Sequence, residues 1–140
     1  MNIVYSYYVL DIIHRGHLLM MKNSKAIAGP DGRLVVGIVS DEAVIEKKGK
    51  PPVLSFSERL ELAQAIEYVD LVVAQPTYSP FDNVRKIKPN ILMESESHDE
   101  TQIEEGRRLM ESLGGKVIVM PYFHGQSSTA IKAQIRGDGK

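Results

Sequence analysis

The sequence contains no cysteine, no long apolar run and almost no excess of charge of either sign. The lack of cysteine excludes disulfides and thiolate metal sites. The longest apolar runs, such as residues 34–39, are far too short to span a bilayer. A formal net charge of −1 excludes the broad basic field that gives affinity for nucleic acids. We therefore expect no nucleic-acid partner and no membrane partner, and any bound anion must be held by a few placed groups.

The composition that is present is typical of one globular domain. Hydrophobic residues make up 43% of the sequence and charged residues 25%. A chain of 140 residues is long enough to bury a core without disulfide or metal staples. Residues 1–10 are apolar but lack a basic leader and a cleavage site, so we expect no secretory signal. These features predict a single domain over residues 1–140 and a cytoplasmic protein.

Short apolar segments alternate with helical patterns along the chain. Strands are predicted at residues 3–10, 33–40, 70–74, 90–93 and 116–120. Helices are predicted at residues 18–28, 41–46, 58–68, 83–87, 102–113 and 128–135, with Ser57 as the N-cap of the third. This alternation predicts an α/β fold with a parallel sheet covered on both faces. In such folds a ligand binds at the carboxyl ends of the strands, where the strand order reverses.

The segment His14-Arg15-Gly16-His17 falls where the first predicted strand ends and the first predicted helix begins. A helix N-terminus offers unpaired N–H groups and the positive end of a dipole, so it attracts phosphate. Gly16 allows an anion close to the backbone, and two histidines three positions apart can present both imidazoles to one ligand. Nucleotidyl transfer requires mainly positioning and stabilisation of charge on phosphate oxygens. The motif therefore predicts a phosphate site.

Two other interpretations of the histidine pair stay open. Isolated histidines more often cap a helix or pack in a core than bind a ligand. A zinc site would also use imidazoles, but His14 and His17 would then need a further ligand, with His98 or His124 supplied by a distant loop.

Two further segments could complete an anion site. Residues 125–129 precede the last predicted helix, and their hydroxyl and N–H groups form either a second anion-binding helix start or a plain N-cap. The lysines of residues 46–52 could close over phosphates, although such a cluster is more often a solvated surface run. Arg59 follows at the head of the next predicted helix.

Together these segments resemble the cytidylyltransferases of the glycerol-3-phosphate type, which belong to a nucleotidyltransferase superfamily with a Rossmann-like fold. Residues 11–17 match an Asp-Leu-Leu-His-x-Gly-His segment, residues 68–70 match a shared element, and residues 125–132 resemble Gly-Ile-Ser-Thr-Thr-x-Ile-Lys. Residues 11–14, 54–59 and 84–89 look most like the phosphonate-pathway domains found with phosphoenolpyruvate mutases. The resemblance implies a Rossmann-like three-layer fold, with a five-stranded parallel sheet between helices, and a homodimer.

The resemblance also implies a reaction and a set of site residues. CMP would pass from CTP, accompanied by Mg²⁺, to a small phosphonate or alcohol phosphate of the 2-hydroxyethylphosphonate or glycerol 3-phosphate type, with release of pyrophosphate. No protein side chain is assigned to the metal. The implied catalytic residues are His14, His17, Lys47 and Lys50. The implied nucleotide-binding residues are Val9, Leu10, Gly16, Lys25, Lys48, Arg59, Gln126, Ser127, Ser128 and Thr129, and the implied acceptor-binding residues are Tyr7, Tyr8 and Asp11.

The sequence departs from the family pattern around the expected acceptor and base. Tyr8 stands where the family has glycine, and Val9 stands where it has threonine. Residues 94–97 replace a Gly-Asp-Asp-Trp segment, and Glu67 and Tyr122 occupy two arginine positions. Two alternatives to a cytidylyltransferase therefore remain: an adenylyltransferase of the FAD synthase type, and a nucleotide-binding module without turnover.

Overall fold

The computed structural model describes residues 1–121 and 128–136, with the backbone alone at residues 128–130. Within this part of the chain, five strands alternate with six helices: β1 (Ile3–Tyr8), α1 (Arg15–Ala28), β2 (Arg33–Val39), α2 (Asp41–Lys48), α3 (Phe56–Gln64), β3 (Leu71–Gln75), α4 (Phe81–Ile87), β4 (Ile91–Ser95), α5 (Glu100–Ser112), β5 (Lys116–Met120) and α6 (Ser128–Arg136). None of the described helices is long and apolar enough to cross a membrane.

The five strands form one sheet in the order β3-β2-β1-β4-β5, and every neighbouring pair is parallel. β1 lies between β2 and β4, so the chain winds outward in opposite directions on the two sides of β1. The crevice between the carboxyl ends of β1 and β4 is therefore the topological switch point at which such folds bind ligands. The predicted α/β, Rossmann-like fold with a five-stranded parallel sheet is confirmed.

Side chains of β1 alternate between two cores because successive residues of a strand point to opposite faces. Val4 packs with Met21 of α1 and Ala63 of α3 on one face. Tyr5 packs with Met110 of α5 on the other face. Both faces of the sheet are thus covered by helices, which explains why the strand segments read as nearly continuous apolar runs.

Several helices begin or end away from the predicted residues. α3 begins at Phe56, and its N-cap is Ser55, whose Oγ accepts a hydrogen bond from Glu58 N at 3.3 Å. The Glu58 carboxylate accepts one from Ser55 N at 3.1 Å in return. This reciprocal capping box leaves Ser57 inside the helix, so its predicted role as the cap was wrong. α2 extends to Lys48, and Gly49 ends it in the left-handed conformation at φ 80°.

A buried polar network joins β1, β3 and α4. The Tyr5 hydroxyl donates to Gln75 Oε1 at 2.6 Å, and Asn83 Nδ2 donates to the Tyr5 hydroxyl at 2.9 Å. Gly37 makes room for this network, because a Cβ there would lie 1.9 Å from the Tyr5 hydroxyl oxygen. The network ties β1, whose carboxyl end lies at the switch point, to β3 and α4.

Candidate active site

A cavity of about 550 Å³ opens at the carboxyl ends of β1 and β4. Its wall draws on segments that are far apart in the sequence and that meet only because parallel strands end at the same edge of the sheet. The lining residues are Tyr7, Tyr8, Val9, Leu10, Asp11, His14, Gly16, His17, Leu19, Met20, Asn23, Lys48, Met93, Ser95, Ser97, His98, Met120, Pro121 and Lys132.

The chain turns from β1 into α1 through a strained residue. Leu10 is buried and has a φ of 60°, a left-handed conformation that is unfavourable for a side chain of this size. Strain of this kind persists only where the surrounding structure enforces it, and it is concentrated at functional sites. Here it directs the chain toward the histidine turn within a few residues of the end of the strand.

His14 and His17 cap α1 with their own imidazole rings. His14 Nδ1 accepts a hydrogen bond from Gly16 N at 3.0 Å, and His17 Nδ1 accepts one from His14 N at 3.2 Å. The two ring centroids lie 4.0 Å apart. Since each Nδ1 serves as an acceptor, the hydrogen of each neutral ring must be on Nε2. The cap therefore leaves two Nε2–H groups as donors beside the helix N-terminus.

Burial favours the neutral form of both imidazoles. It lowers the pKa of His14, and burial together with the charge of His14 lowers the pKa of His17 to about 4. The ring of Tyr8 packs edge-on against His17, with centroids 5.8 Å apart. The capping interpretation of these histidines thus holds, and it is compatible with a ligand role because capping uses only Nδ1.

Two lysines face the same cavity, Lys48 from the end of α2 and Lys132 from α6. Burial and the nearby ammonium of Lys132 lower the pKa of Lys48, although Asp11 opposes this. Lys132 forms an ion pair with Asp11. The prediction from sequence did not single out Lys132, although four positions separate it from Ser128, one helical turn.

Asp11 holds the loop that follows α2. Its carboxylate accepts hydrogen bonds from Val53 N at 2.9 Å and Leu54 N at 2.8 Å. Burial opposes ionisation, but these N–H groups and Lys132 together lower the pKa of Asp11. Asp11 lines the cavity, as the acceptor-binding prediction requires, yet these partners occupy both of its oxygens.

Arg59 lies away from the cavity, in contrast to the predicted nucleotide contact. Its side chain is fully buried, and Nη1 donates to Val9 O at 2.7 Å and Val39 O at 2.8 Å. Nη2 pairs with Asp41 at 2.6 Å, and Nε donates to Leu54 O at 3.2 Å. Because these contacts use four of the five N–H groups of a guanidinium, Arg59 joins the ends of β1 and β2 instead.

Three predicted lysines are also not brought to the cavity. Lys25 Nζ pairs with Asp70 at 2.6 Å. Asp70 directly precedes β3, so this ion pair lies at the amino ends of the strands, at the opposite edge of the sheet from the cavity. Lys47 Nζ lies 5.7 Å from the centre of the Tyr78 ring, and Lys50 is exposed on the loop. Gln126, Ser127 and His124 lie outside the described residues, as do the side chains of Ser128 and Thr129. Among the described residues, no group of three His, Cys, Asp or Glu side chains could hold a metal.

A second polar cluster lies beside β4, and its members Tyr7 and His98 line the cavity. Glu94 is fully buried, and its Oε1 accepts a hydrogen bond from the Tyr7 hydroxyl at 2.5 Å. His98 Nδ1 lies 2.8 Å from the same oxygen, and Gln102 Nε2 donates to the Tyr7 hydroxyl at 2.6 Å. Burial and the charge of Glu94 raise the pKa of Tyr7, so its hydroxyl stays protonated.

The sequence contains a signal for this second cluster, although no motif includes it. Glu94 has the same parity in β4 as Leu92, which is a core residue. A carboxylate at a core position of a buried strand requires polar partners, because burying an unpaired charge is costly. The family resemblance marks Glu94 only as a departure from a motif, and the zinc interpretation is the single role that the sequence suggested for His98.

The chain is similar to several known proteins. A profile of the family described as "Cytidylyltransferase-like" matches residues 9–134. The chain is 36% identical over 131 residues to "Bifunctional protein HldE" of Bradyrhizobium diazoefficiens. The aligned region covers 93% of this chain and 26% of that protein. It is 33% identical over 119 residues to the FAD synthase of Pyrococcus horikoshii, and this aligned region covers 83% of this chain and 78% of that protein. The chain thus spans about a quarter of the length of the HldE protein.

Among solved structures, the fold is similar to the crystal structure of the lipopolysaccharide core biosynthesis protein from Thermoplasma volcanium GSS1. The TM-score is 0.69 at 27% sequence identity, and the match covers 88% of this chain and 97% of that one.

Proposed function

Because the chain belongs to the cytidylyltransferase-like family of nucleotidyltransferases, we propose that it transfers CMP from CTP to a small phosphonate or alcohol phosphate. The acceptor would be of the 2-hydroxyethylphosphonate or glycerol 3-phosphate type, and pyrophosphate would be released. The observation that supports this proposal is the imidazole cap of α1. His14 and His17 accept backbone N–H groups through Nδ1 and so keep Nε2–H donors for a phosphate.

The proposed reaction is a single in-line displacement. An anionic oxygen of the acceptor bonds to the α-phosphorus of CTP, the bond from that phosphorus to the bridging oxygen of the β-phosphate breaks, and pyrophosphate leaves with the electron pair. The Nε2–H groups of His14 and His17 donate to the non-bridging α-oxygens as charge develops there. Lys48 and Lys132, which line the same cavity, compensate the charge of the leaving pyrophosphate.

Mg²⁺ would accompany CTP and neutralise part of the triphosphate charge. Asp11 is the carboxylate among the described lining residues, and Val53 N, Leu54 N and Lys132 already occupy its oxygens. A magnesium ion commonly keeps several waters and binds through substrate phosphates and one or two carboxylates. We therefore expect the phosphates and water to hold the ion rather than a dedicated set of protein ligands.

The direct test is a screen of CTP against small phosphates and phosphonates, with pyrophosphate release and product mass as readouts. One acceptor of this class should yield a CMP adduct and stoichiometric pyrophosphate. Turnover with ATP and none with CTP across the panel would contradict the proposed nucleotide. Binding of CTP in calorimetry without pyrophosphate release would favour a nucleotide-binding module.

An adenylyltransferase of the FAD synthase type is the second candidate. The observation in its favour is the 33% identity to the Pyrococcus horikoshii FAD synthase across 78% of that protein. ATP with riboflavin phosphate, included in the same screen, separates the two candidates. The homodimer and the cytoplasmic location expected from the sequence remain predictions, and light scattering on the purified chain would test the first.

A further inference from the structure

The histidine of the second cluster, His98, is held differently from the two that cap α1. Its Nδ1 lies 2.8 Å from Glu94 Oε1, which is fully buried, while its own side chain is 32% exposed and lines the cavity. Nε2 of His98 has no hydrogen-bond partner among the described residues. One edge of the ring is therefore fixed against a buried carboxylate, and the other edge is left for a ligand.

The contact with Glu94 determines which ring nitrogen carries the hydrogen. A carboxylate only accepts hydrogen bonds, so the 2.8 Å contact requires a hydrogen on Nδ1. The competing donor to Nδ1, Ser95 N, lies at 3.4 Å and makes the weaker contact. The Tyr7 hydroxyl lies 3.3 Å from Nδ1 but donates its hydrogen to Glu94 at 2.5 Å. Neutral His98 therefore carries a lone pair on Nε2.

We propose that His98 binds a hydroxyl or amine group of a substrate through the lone pair of Nε2, with Glu94 as the residue that positions the ring. This proposal rests on the proposed function, because it assigns the part of the same cavity that does not bind phosphate. A phosphate oxygen would be repelled by that lone pair, whereas an O–H or N–H donor pairs with it. Ser95 and Ser97, which line the cavity beside His98, add hydroxyl partners for the same kind of group.

A hydroxyl at this position could come from either substrate. It could belong to the ribose of the nucleotide or to the carbon chain of the acceptor, and the recognition chemistry is the same in both cases. Matched pairs of probes distinguish the two sources: CTP against its 2′-deoxy and 3′-deoxy analogues, and 2-hydroxyethylphosphonate against ethylphosphonate.

The premise about the ring is tested first by ¹⁵N NMR of the unliganded protein at pH 7.5. His98 should show a protonated Nδ1 and a bare Nε2, and in the Glu94→Gln variant this signature should weaken because the charged acceptor is lost. A hydrogen on Nε2 of His98 in the wild-type protein, alone or together with one on Nδ1, would overturn the proposal.

The substrate contact is tested by calorimetric titration of each probe, which does not depend on turnover. The wild-type protein should bind the hydroxylated member of one pair about tenfold more tightly, as expected for one hydrogen bond whose loss leaves a partner unpaired. His98→Phe should bind both members of that pair equally, and His98→Gln, whose amide oxygen can replace the lone pair, should restore part of the difference. Equal binding in every pair by the wild-type protein, or unchanged discrimination in His98→Phe, would refute the contact. Failure of the wild-type protein to release pyrophosphate would count against the proposed function alone.

Discussion

The two ends of the cavity use the same side chain for opposite purposes. At the start of α1, the Nδ1 atoms of His14 and His17 accept backbone N–H groups, so the rings offer donors. Beside β4, His98 Nδ1 faces the buried carboxylate of Glu94, so the ring offers an acceptor. The partner of the hidden nitrogen decides what the exposed nitrogen can bind. The end formed by His14 and His17, here called the donor end, suits phosphate oxygens. The end formed by His98, here called the acceptor end, suits a hydroxyl or amine.

The largest effect that separates the two ends is expected from His17→Ala. Loss of one donor to the developing charge should lower kcat/KM for CTP by about 10²–10³-fold. His98→Phe should lower kcat/KM by about tenfold, for the substrate that carries the bound hydroxyl. Steady-state pyrophosphate release measures both. Arg85→Ala, which removes an exposed ion pair with Asp82 on α4, serves as the control and should retain normal activity. Near-normal turnover in His17→Ala would remove the donor end from the mechanism.

Lys132→Met should have the next largest effect and should act on the donor end alone. Loss of a charged hydrogen-bond donor to the triphosphate should weaken CTP binding by about 10–100-fold. Discrimination between hydroxylated and deoxygenated probes should not change, since His98 is untouched. Calorimetry with CTP and its analogues checks both statements. A loss of discrimination with full CTP affinity would reverse the assignment of the two ends.

Tyr7→Phe should lower the stability of the protein by disturbing the second cluster, which supports His98. It removes the hydroxyl that donates to Glu94 at 2.5 Å and leaves a buried carboxylate with one partner fewer. The free energy of unfolding should fall by about 1–3 kcal/mol. Urea denaturation followed by circular dichroism measures this loss, with Tyr68→Phe, outside the second cluster, as the matched control. An unchanged stability in Tyr7→Phe would mean that the cluster is not a rigid support for His98.

The most gradual expected effect is the pH dependence of stability from His17. Burial lowers the pKa of His17 to about 4 in the folded chain, against about 6.5 for a free imidazole, so the unfolded chain binds the proton first as the pH falls. Its contribution to stability is present above about pH 6.5 and is lost toward pH 4, with a slope of at most about 1.4 kcal/mol per pH unit.

The control for this titration is His17→Gln. Glutamine at this position of the helix can still bond the N-cap backbone but does not titrate. Denaturation midpoints between pH 4.5 and 7 should therefore vary less with pH in His17→Gln than in the wild-type chain. Parallel curves for the two proteins would show that folding does not lower the pKa of His17.

The elements of the fold were predictable because they follow from local patterns. Alternation of apolar strands with amphipathic segments predicted the parallel sheet, and β5 was predicted at its observed bounds. The start of α3 was misplaced although Ser55 and Glu58 have the spacing of a capping box. Ser57, the predicted cap, has Leu60 at the capping-box position, and leucine cannot return the hydrogen bond that Glu58 gives to Ser55.

The site was only partly predictable. The histidine turn and Lys48 line the cavity as expected. Arg59 has the charge and the sequence position expected of a phosphate ligand, but its side chain is fully buried. A guanidinium can bind a phosphate or carbonyl oxygens equally well, so its type does not reveal its partner. The partners of Arg59 become visible only when the ends of β1 and β2 are placed beside it.

By itself the sequence determined the succession of strands and helices along the chain and the position of the imidazole cap, because both depend on neighbours within a few residues. Only the tertiary structure decided which cations reach the cavity and which side chains surround the buried carboxylate of Glu94. Those outcomes depend on contacts across the chain, such as Arg59 with Val9, 50 positions apart, and Tyr7 with Glu94, 87 positions apart. A local pattern cannot specify such contacts, since they exist only once the parallel strands bring their carboxyl ends together.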